Sequence, residues 1–219
     1  IAQRQGRAKN SNDLTQPAIL KMMVMGGEGS IIDRLKQLHI VPLSISYEYD
    51  PCDYLKAREY QLRRDIPYWK KTAEDDLESM LIGIKGFKGH IFYHCAPCID
   101  DWLDTLDADL PKNKLFDAIA SHIDHEIHSS YKLYPINYVA LDMIQDTKVY
   151  EEYYTQDDYE KFDSYLAGQI EKIDIENRDE QFLRTCLLTQ YAYPAKNYID
   201  ASSESGRLKS LLNRLTFKK

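Results

Sequence analysis

Residues 39–51 read HIVPLSISYEYDP. An apolar, β-branched run ends in an Asp-Pro stop, and this pattern predicts a buried strand. Working back from it, IIDRLKQL (31–38) predicts a short helix capped by Ser30, and GGEGS (26–30) ends an earlier one. That earlier helix is expected from Thr15 as N-cap, with Pro17 in its first turn, through AILKMMVM. Working forward, helices are predicted from about Cys52 to Arg64 and from Thr72 to Leu81. GIKGFKGHIFYHCAPC (83–98) reads as a loop, a strand and a proline-stopped exit. Such alternation predicts the later part of an α/β sheet domain. Beyond about Leu110 the pattern changes. Phe116, Ile119, Ala120, Ile123 and Ile127 form one helical stripe, and further helices are expected over 156–175, 178–190 and 195–215. The expected organisation is an α/β part over 1–110 followed by an all-helical extension over 111–219.

The 219 residues carry 28 Lys+Arg against 35 Asp+Glu, a net charge of −7. Binding nucleic acid in general needs a basic face that replaces counterions, so this balance argues against it and leaves any anion recognition local. Cys52, Cys95, Cys98 and Cys186 are too few in a chain of this length for a disulfide framework, and a reducing cytosol is the expected setting. No apolar run approaches the ~20 residues that a membrane-spanning helix requires. The chain opens on IAQ without an initiating Met. We read Ile1–Gln3 as a strand end and the whole as part of a longer polypeptide.

The opening IAQRQGRAKNSNDLTQ concentrates positive charge. Arg4, Arg7 and Lys9 surround Gly6, and no acid precedes Asp13. A glycine turn after a strand exposes backbone N–H groups, guanidinium groups bind phosphate oxygens in pairs, and a helix start nearby adds positive potential. The turn is therefore either a phosphate site or a solvated basic loop.

AQRQGRAKNSNDLTQPAILKM (2–22) resembles the second conserved block of the glycerol-3-phosphate and lysophosphatidate acyltransferase family. HIVPLSISYEYDP resembles that family's Val-Pro block, and FKGHIFYHCAPCID (87–100) its last block. The likeness covers roughly residues 1–100 and is nearest to a bacterial branch with a long helical C-terminal part. It implies the C-terminal part of a glycerolipid-acyltransferase-like sheet domain. Arg4, Gln5, Gly6, Arg7 and Lys9 would hold the acceptor's phosphate, with Val41 and Pro42 behind that site. It also implies transfer of a fatty acyl group from acyl-CoA or acyl carrier protein, as co-substrate, to a glycerophosphate-type hydroxyl in phospholipid synthesis. No metal or resident cofactor is expected. The implied location is cytoplasmic, peripheral at the inner face of the membrane.

Two departures matter. Gln5 stands where the family usually has Glu, which keeps a hydrogen-bonding oxygen and loses a charge. The family's His-x-x-x-x-Asp block, in which the imidazole takes the acceptor's proton, is absent. Five positions after His39, His90, His94, His122, His125 and His128 stand Ser44, Cys95, Ile99, Ile127, Ser130 and Leu133. This piece alone is therefore expected to be inactive.

Other constellations have bland and sharp readings. His122, His125 and His128, with Asp124 and Glu126, can suggest a metal, but at helical spacing they are expected to fan over the solvent side. His94, Cys95 and Cys98 form a C-x-x-C without a second pair, and Pro97 reads as a strand stop. YKLYPINYVALD (131–142) is either a packed turn between helices or a wall of an acyl-chain groove. EEYYTQDDYE (151–160) reads as a solvated loop or helix start. GRLKSLLNRLTFKK (206–219) is a basic amphipathic helix that either packs on the domain or, over 207–219, lies on an anionic membrane. The alternative to an enzyme is a non-catalytic helical module that docks on membrane or protein and carries a phosphate-binding loop.

Overall fold

The computed structural model describes residues 1–4, 8–107 and 109–203. Its elements run α1 (Pro17–Met23), α2 (Ile31–Lys36), β1 (Leu43–Tyr47), α3 (Asp53–Asp65), α4 (Ala73–Lys85), β2 (Ile91–Cys95) and α5 (Asp100–Leu103). Then come α6 (Lys112–Ser129), α7 (Pro135–Gln145), a 3-10 turn (Glu151–Tyr153), α8 (Gln156–Glu171) and α9 (Glu180–Ser202). Most of the described chain is helical, with one small antiparallel sheet of two strands, and after Leu110 the described regular elements are all helices.

The chemistry of the helix starts explains several boundaries. Ser30, Thr72 and Thr155 each accept from the third helical N–H, while Asp33, Asp75 and Asp158 bond back to the cap's own N–H. Each reciprocal pair satisfies two donors that a helix start would otherwise leave free. Thr15 does not cap α1. Gln16 takes that place, and Thr15 is buried, giving its N–H (2.8 Å) and its hydroxyl (2.6 Å) to Asp124 Oδ1 on α6. The two helices expected around Pro194 are one. The proline costs α9 the N–H that would reach the carbonyl of Gln190. Ala192 and Ala195 on either side are buried, and packing carries the helix through.

Strands β1 and β2 pair with Leu43 opposite Cys95 and Tyr47 opposite Ile91. β1 is half-buried rather than fully buried. Ser44 and Ser46 turn inward, where Ser44 Oγ donates to the carbonyl of Ser130 (3.2 Å) and Ser46 Oγ accepts the N–H of Lys132 (3.0 Å). The opposite face, with Leu43, Ile45, Tyr47, Ile91 and Tyr93, is exposed. Ile1–Gln3 form no strand. Gln3 instead accepts the N–H of Gln16 (2.8 Å), which ties the opening segment to the start of α1.

Two apolar clusters hold the chain. One joins α3, α7, α8 and α9 through Ala57, Val139, Phe162, Leu166, Leu183 and Leu187. The other joins α1, α2 and α5 to α6 through Leu20, Leu35, Ile99, Leu103, Phe116 and Ile119. The helical layer that begins after Leu110 thus packs directly on elements before it, and Trp102 of α5 stacks on His122 of α6 at 3.8 Å.

Candidate functional site

The loop between the chain's first residues and α1 is built from short polar side chains that bond their own backbone. Asp13 Oδ1 accepts the N–H of Ala8 (3.1 Å) and Asn10 Oδ1 that of Asn12 (3.1 Å). Asn12 Oδ1 accepts from Asn197 of α9 (3.1 Å), and the carbonyl of Asp13 faces His128 Nε2 at 3.1 Å. With Thr15 bound to Asp124, the loop is pinned to α6 and α9.

Two of the three histidines on α6 therefore do not point to solvent. His122 is covered by Trp102, and His128 is buried beneath the loop. Burial pushes the His128 imidazole down and the Asp124 carboxyl up, the latter opposed by its two bonds from Thr15. The Nε2 of His128 faces a backbone carbonyl, which can only accept, so the ring donates there. The three rings meet different neighbours and do not converge.

The loop separates two cavities that share a wall of Ala8, Asp13, Ile45, Lys56 and Tyr131. The first, about 710 Å³, is mostly apolar and is lined by Ile19, Leu20, Met23, Leu43 and Ile123. Arg4, Val41 and Pro42 also line it. The Nε of Arg4 is enclosed and has no hydrogen-bond partner among the described residues. Pro42 is buried, and its carbonyl accepts the N–H of Ala96 (2.9 Å). Val41 is largely exposed. Both volumes fall in the range typical of small-molecule sites.

The second cavity, about 550 Å³, is more polar and is lined by Asp50, Lys56, Lys88, Lys132, Asn137 and Gln190 among others. Lys56 is paired with Asp50. Gln190 is buried, and its Oε1 has no partner among the described residues.

No protein-family model, curated protein or solved structure matches the chain.

Of the residues expected at a phosphate site, Arg4 lines the apolar cavity. Lys9 turns elsewhere, to the buried Glu59 of α3, which Arg63 also reaches (2.7 Å). Burial and the positive charges of Arg63 and Lys71 push the Lys9 amine down to about 8. Gln5, Gly6 and Arg7 lie outside the described residues, as does the basic stretch 207–219. Of the tyrosines in 131–142, Tyr131 lines both cavities, Tyr134 is buried at the start of α7, and Tyr138 stacks on Tyr153 at 4.5 Å.

One feature escaped the sequence pattern. Asp53, fully buried in the first turn of α3, accepts from the hydroxyls of Tyr191 (2.6 Å) and Tyr165 (2.7 Å) at one carboxylate oxygen. The Tyr191 hydroxyl in turn accepts the N–H of Asp50 (3.2 Å). The partners lie more than a hundred positions apart, and an acid in a first helical turn reads as an ordinary surface charge. The arrangement as a whole offers a cation on an apolar cavity, beside a more polar cavity, with buried carboxyl groups that already accept hydrogen bonds or pair with a cation.

Proposed function

We propose that this chain is the acceptor-side part of an acyltransferase. It would act in moving a fatty acyl group from acyl-CoA or acyl carrier protein to the hydroxyl of a glycerophosphate-type acceptor. The observation that carries the reading is Arg4 on the wall of the 710 Å³ apolar cavity, beside Val41 and Pro42. A cation next to an apolar space suits an amphiphile with an anionic head. The resemblance of residues 2–22, 39–51 and 87–100 to three blocks of one acyltransferase family supports the same reading.

In this reaction the acceptor oxygen bonds the thioester carbonyl, the C–S bond breaks, and the acceptor's proton leaves through a base to the departing thiol. None of the six histidines has an aspartate five positions on, so on this reading none of them supplies a base of the family's His-x-x-x-x-Asp type. What this chain contributes is binding and orientation. With Lys9 engaged by Glu59, the phosphate falls to Arg4 and Arg7. Among the described residues no helix is long and apolar enough to cross a membrane. Peripheral contact through 207–219 belongs to the same proposal.

Thermal unfolding with and without lysophosphatidate or glycerol-3-phosphate tests it. A ligand that binds only the folded state, present at ~100-fold above its Kd, stabilises by about 2.7 kcal/mol. A hydrogen bond to a charged group contributes roughly 1.5–3 kcal/mol, so Arg4→Ala and Arg7→Ala should each weaken binding about ten- to a hundredfold. Protection that is absent, or that survives both substitutions, defeats the reading.

A further inference from the structure

The segments that flank the two-stranded sheet bring His39 together with Cys98 and Asp100, about sixty positions further along the sequence. His39 follows α2, and Cys98 and Asp100 follow β2. One donor atom from each lies within 4.8 Å of the others. His39 Nδ1 is 2.6 Å from Asp100 Oδ2, and the Cys98 thiol completes the group.

From this geometry we propose that His39, Cys98 and Asp100 form a binding site for a divalent transition metal of the zinc type. This goes beyond the acyltransferase reading and does not depend on it.

The scaffold is rigid where it needs to be. The N–H of Ile99 bonds the carbonyl of Ile40 (3.0 Å), and that of Ala96 the carbonyl of Pro42, so the ladder continues past the strands and locks the two loops together. Ile99 and Leu103 are buried in the core below. Sites held on such supported positions keep their geometry better than sites on free loops. His39, by contrast, has a side chain 78% exposed, so its ring can turn to present either nitrogen. Asp100 Oδ1 is enclosed and has no hydrogen-bond partner among the described residues, which leaves the carboxylate undersatisfied.

The charges balance. The Asp100 carboxylate now contacts the His39 ring nitrogen, and a dication between His39, Cys98 and Asp100 can take that place. The metal–sulfur bond forms as the thiol proton leaves to solvent. The imidazole stays neutral and gives a lone pair, and the carboxylate is already ionised. Thiolate and carboxylate together cancel the metal's two charges, so the filled site is neutral. Sulfur and imidazole donors favour zinc-like ions over magnesium or calcium. Three protein ligands leave a fourth tetrahedral position for water. His39 also lines the apolar cavity, so the ion would sit at its edge.

Cobalt(II) titration of the metal-free chain is the test, because a thiolate ligand gives cobalt a near-ultraviolet charge-transfer band and tetrahedral geometry gives intense bands in the red. We expect one cobalt per chain, displaced by zinc. The charge-transfer band should vanish in Cys98→Ser and persist in Cys95→Ser. His39→Ala should weaken binding on the order of tenfold or more, since even losing a ligand's supporting partner costs that much. These side chains lie at or near the surface, and far-ultraviolet circular dichroism checks that each variant is folded. No band, a band that survives Cys98→Ser, or one removed by Cys95→Ser overturns the assignment.

Discussion

Replacing Phe162 with alanine is expected to lower the free energy of unfolding by about 3–5 kcal/mol, the usual cost of emptying a large buried aromatic site. Phe162 is fully buried on α8, at the meeting point of α7, α8 and α9. Its ring lies edge-on to Tyr191 at 5.2 Å and stacks with Tyr165 at 6.2 Å. Those two rings are held by hydrogen bonds to Asp53 and cannot slide into the space left behind, so the cavity should persist. Typical stabilities are about 5–15 kcal/mol, and the loss would be a large part of the total. Urea unfolding measures it directly. Tyr159→Ala, an exposed position on the same helix, is the control, expected to stay within about 0.5 kcal/mol of the parent. A loss below about 1 kcal/mol for Phe162→Ala would mean that the α7–α8–α9 cluster is not packed as described.

The second large effect is a pH dependence carried by Asp53. Burial pushes its carboxyl up from 3.8 to about 6, against the hydrogen bonds from Tyr191 and Tyr165, and Asp50 nearby adds like charge. Lys56, paired with Asp50, is the neighbouring cation. Between these two pH values the folded state holds the proton and the unfolded chain does not. Stability from this group therefore falls as pH rises through the window, and the deficit is complete above about pH 6. Asparagine carries no proton and still offers an oxygen to the tyrosine hydroxyls. Asp53→Asn should gain on the parent by about 3 kcal/mol between pH below 4 and pH above 6, at 1.36 kcal/mol per pKa unit. Urea midpoints of both proteins across the range give the difference. A difference that does not change with pH would show that the buried carboxyl does not titrate in this window.

How far the sequence could be read depended on the distance over which each signal acts. The caps at Ser30 and Thr72 act within three residues and are visible as a hydroxyl followed by an acid. The apolar stripe from Phe116 to Ile127 marks the buried face of α6 because helical period and burial coincide there. Thr15 misleads for the same local reason, since its hydroxyl reads as a cap when its partner is Asp124, over a hundred residues away. His122 and His128 look exposed on a helical wheel because nothing local reveals that α5 and the loop before α1 will cover them. Pro194 reads as a break, since helix propensity argues for one and only packing overrides it. At the candidate site the cationic opening was legible as charge around a glycine. The diversion of Lys9 to Glu59 was not, because it spans fifty positions. The two cavities and the His39–Cys98–Asp100 cluster arise only when separate loops meet.

The stack of Trp102 on His122 turns one of the chain's two tryptophans into an optical gauge of the join between α5 and α6. An indole emits differently against an imidazole than in water. If α5 and α6 come apart only when the whole molecule melts, Trp102 emission, followed in a Trp69→Phe background, and helical ellipticity should change at the same temperature. An earlier change in emission would reveal a weak seam there.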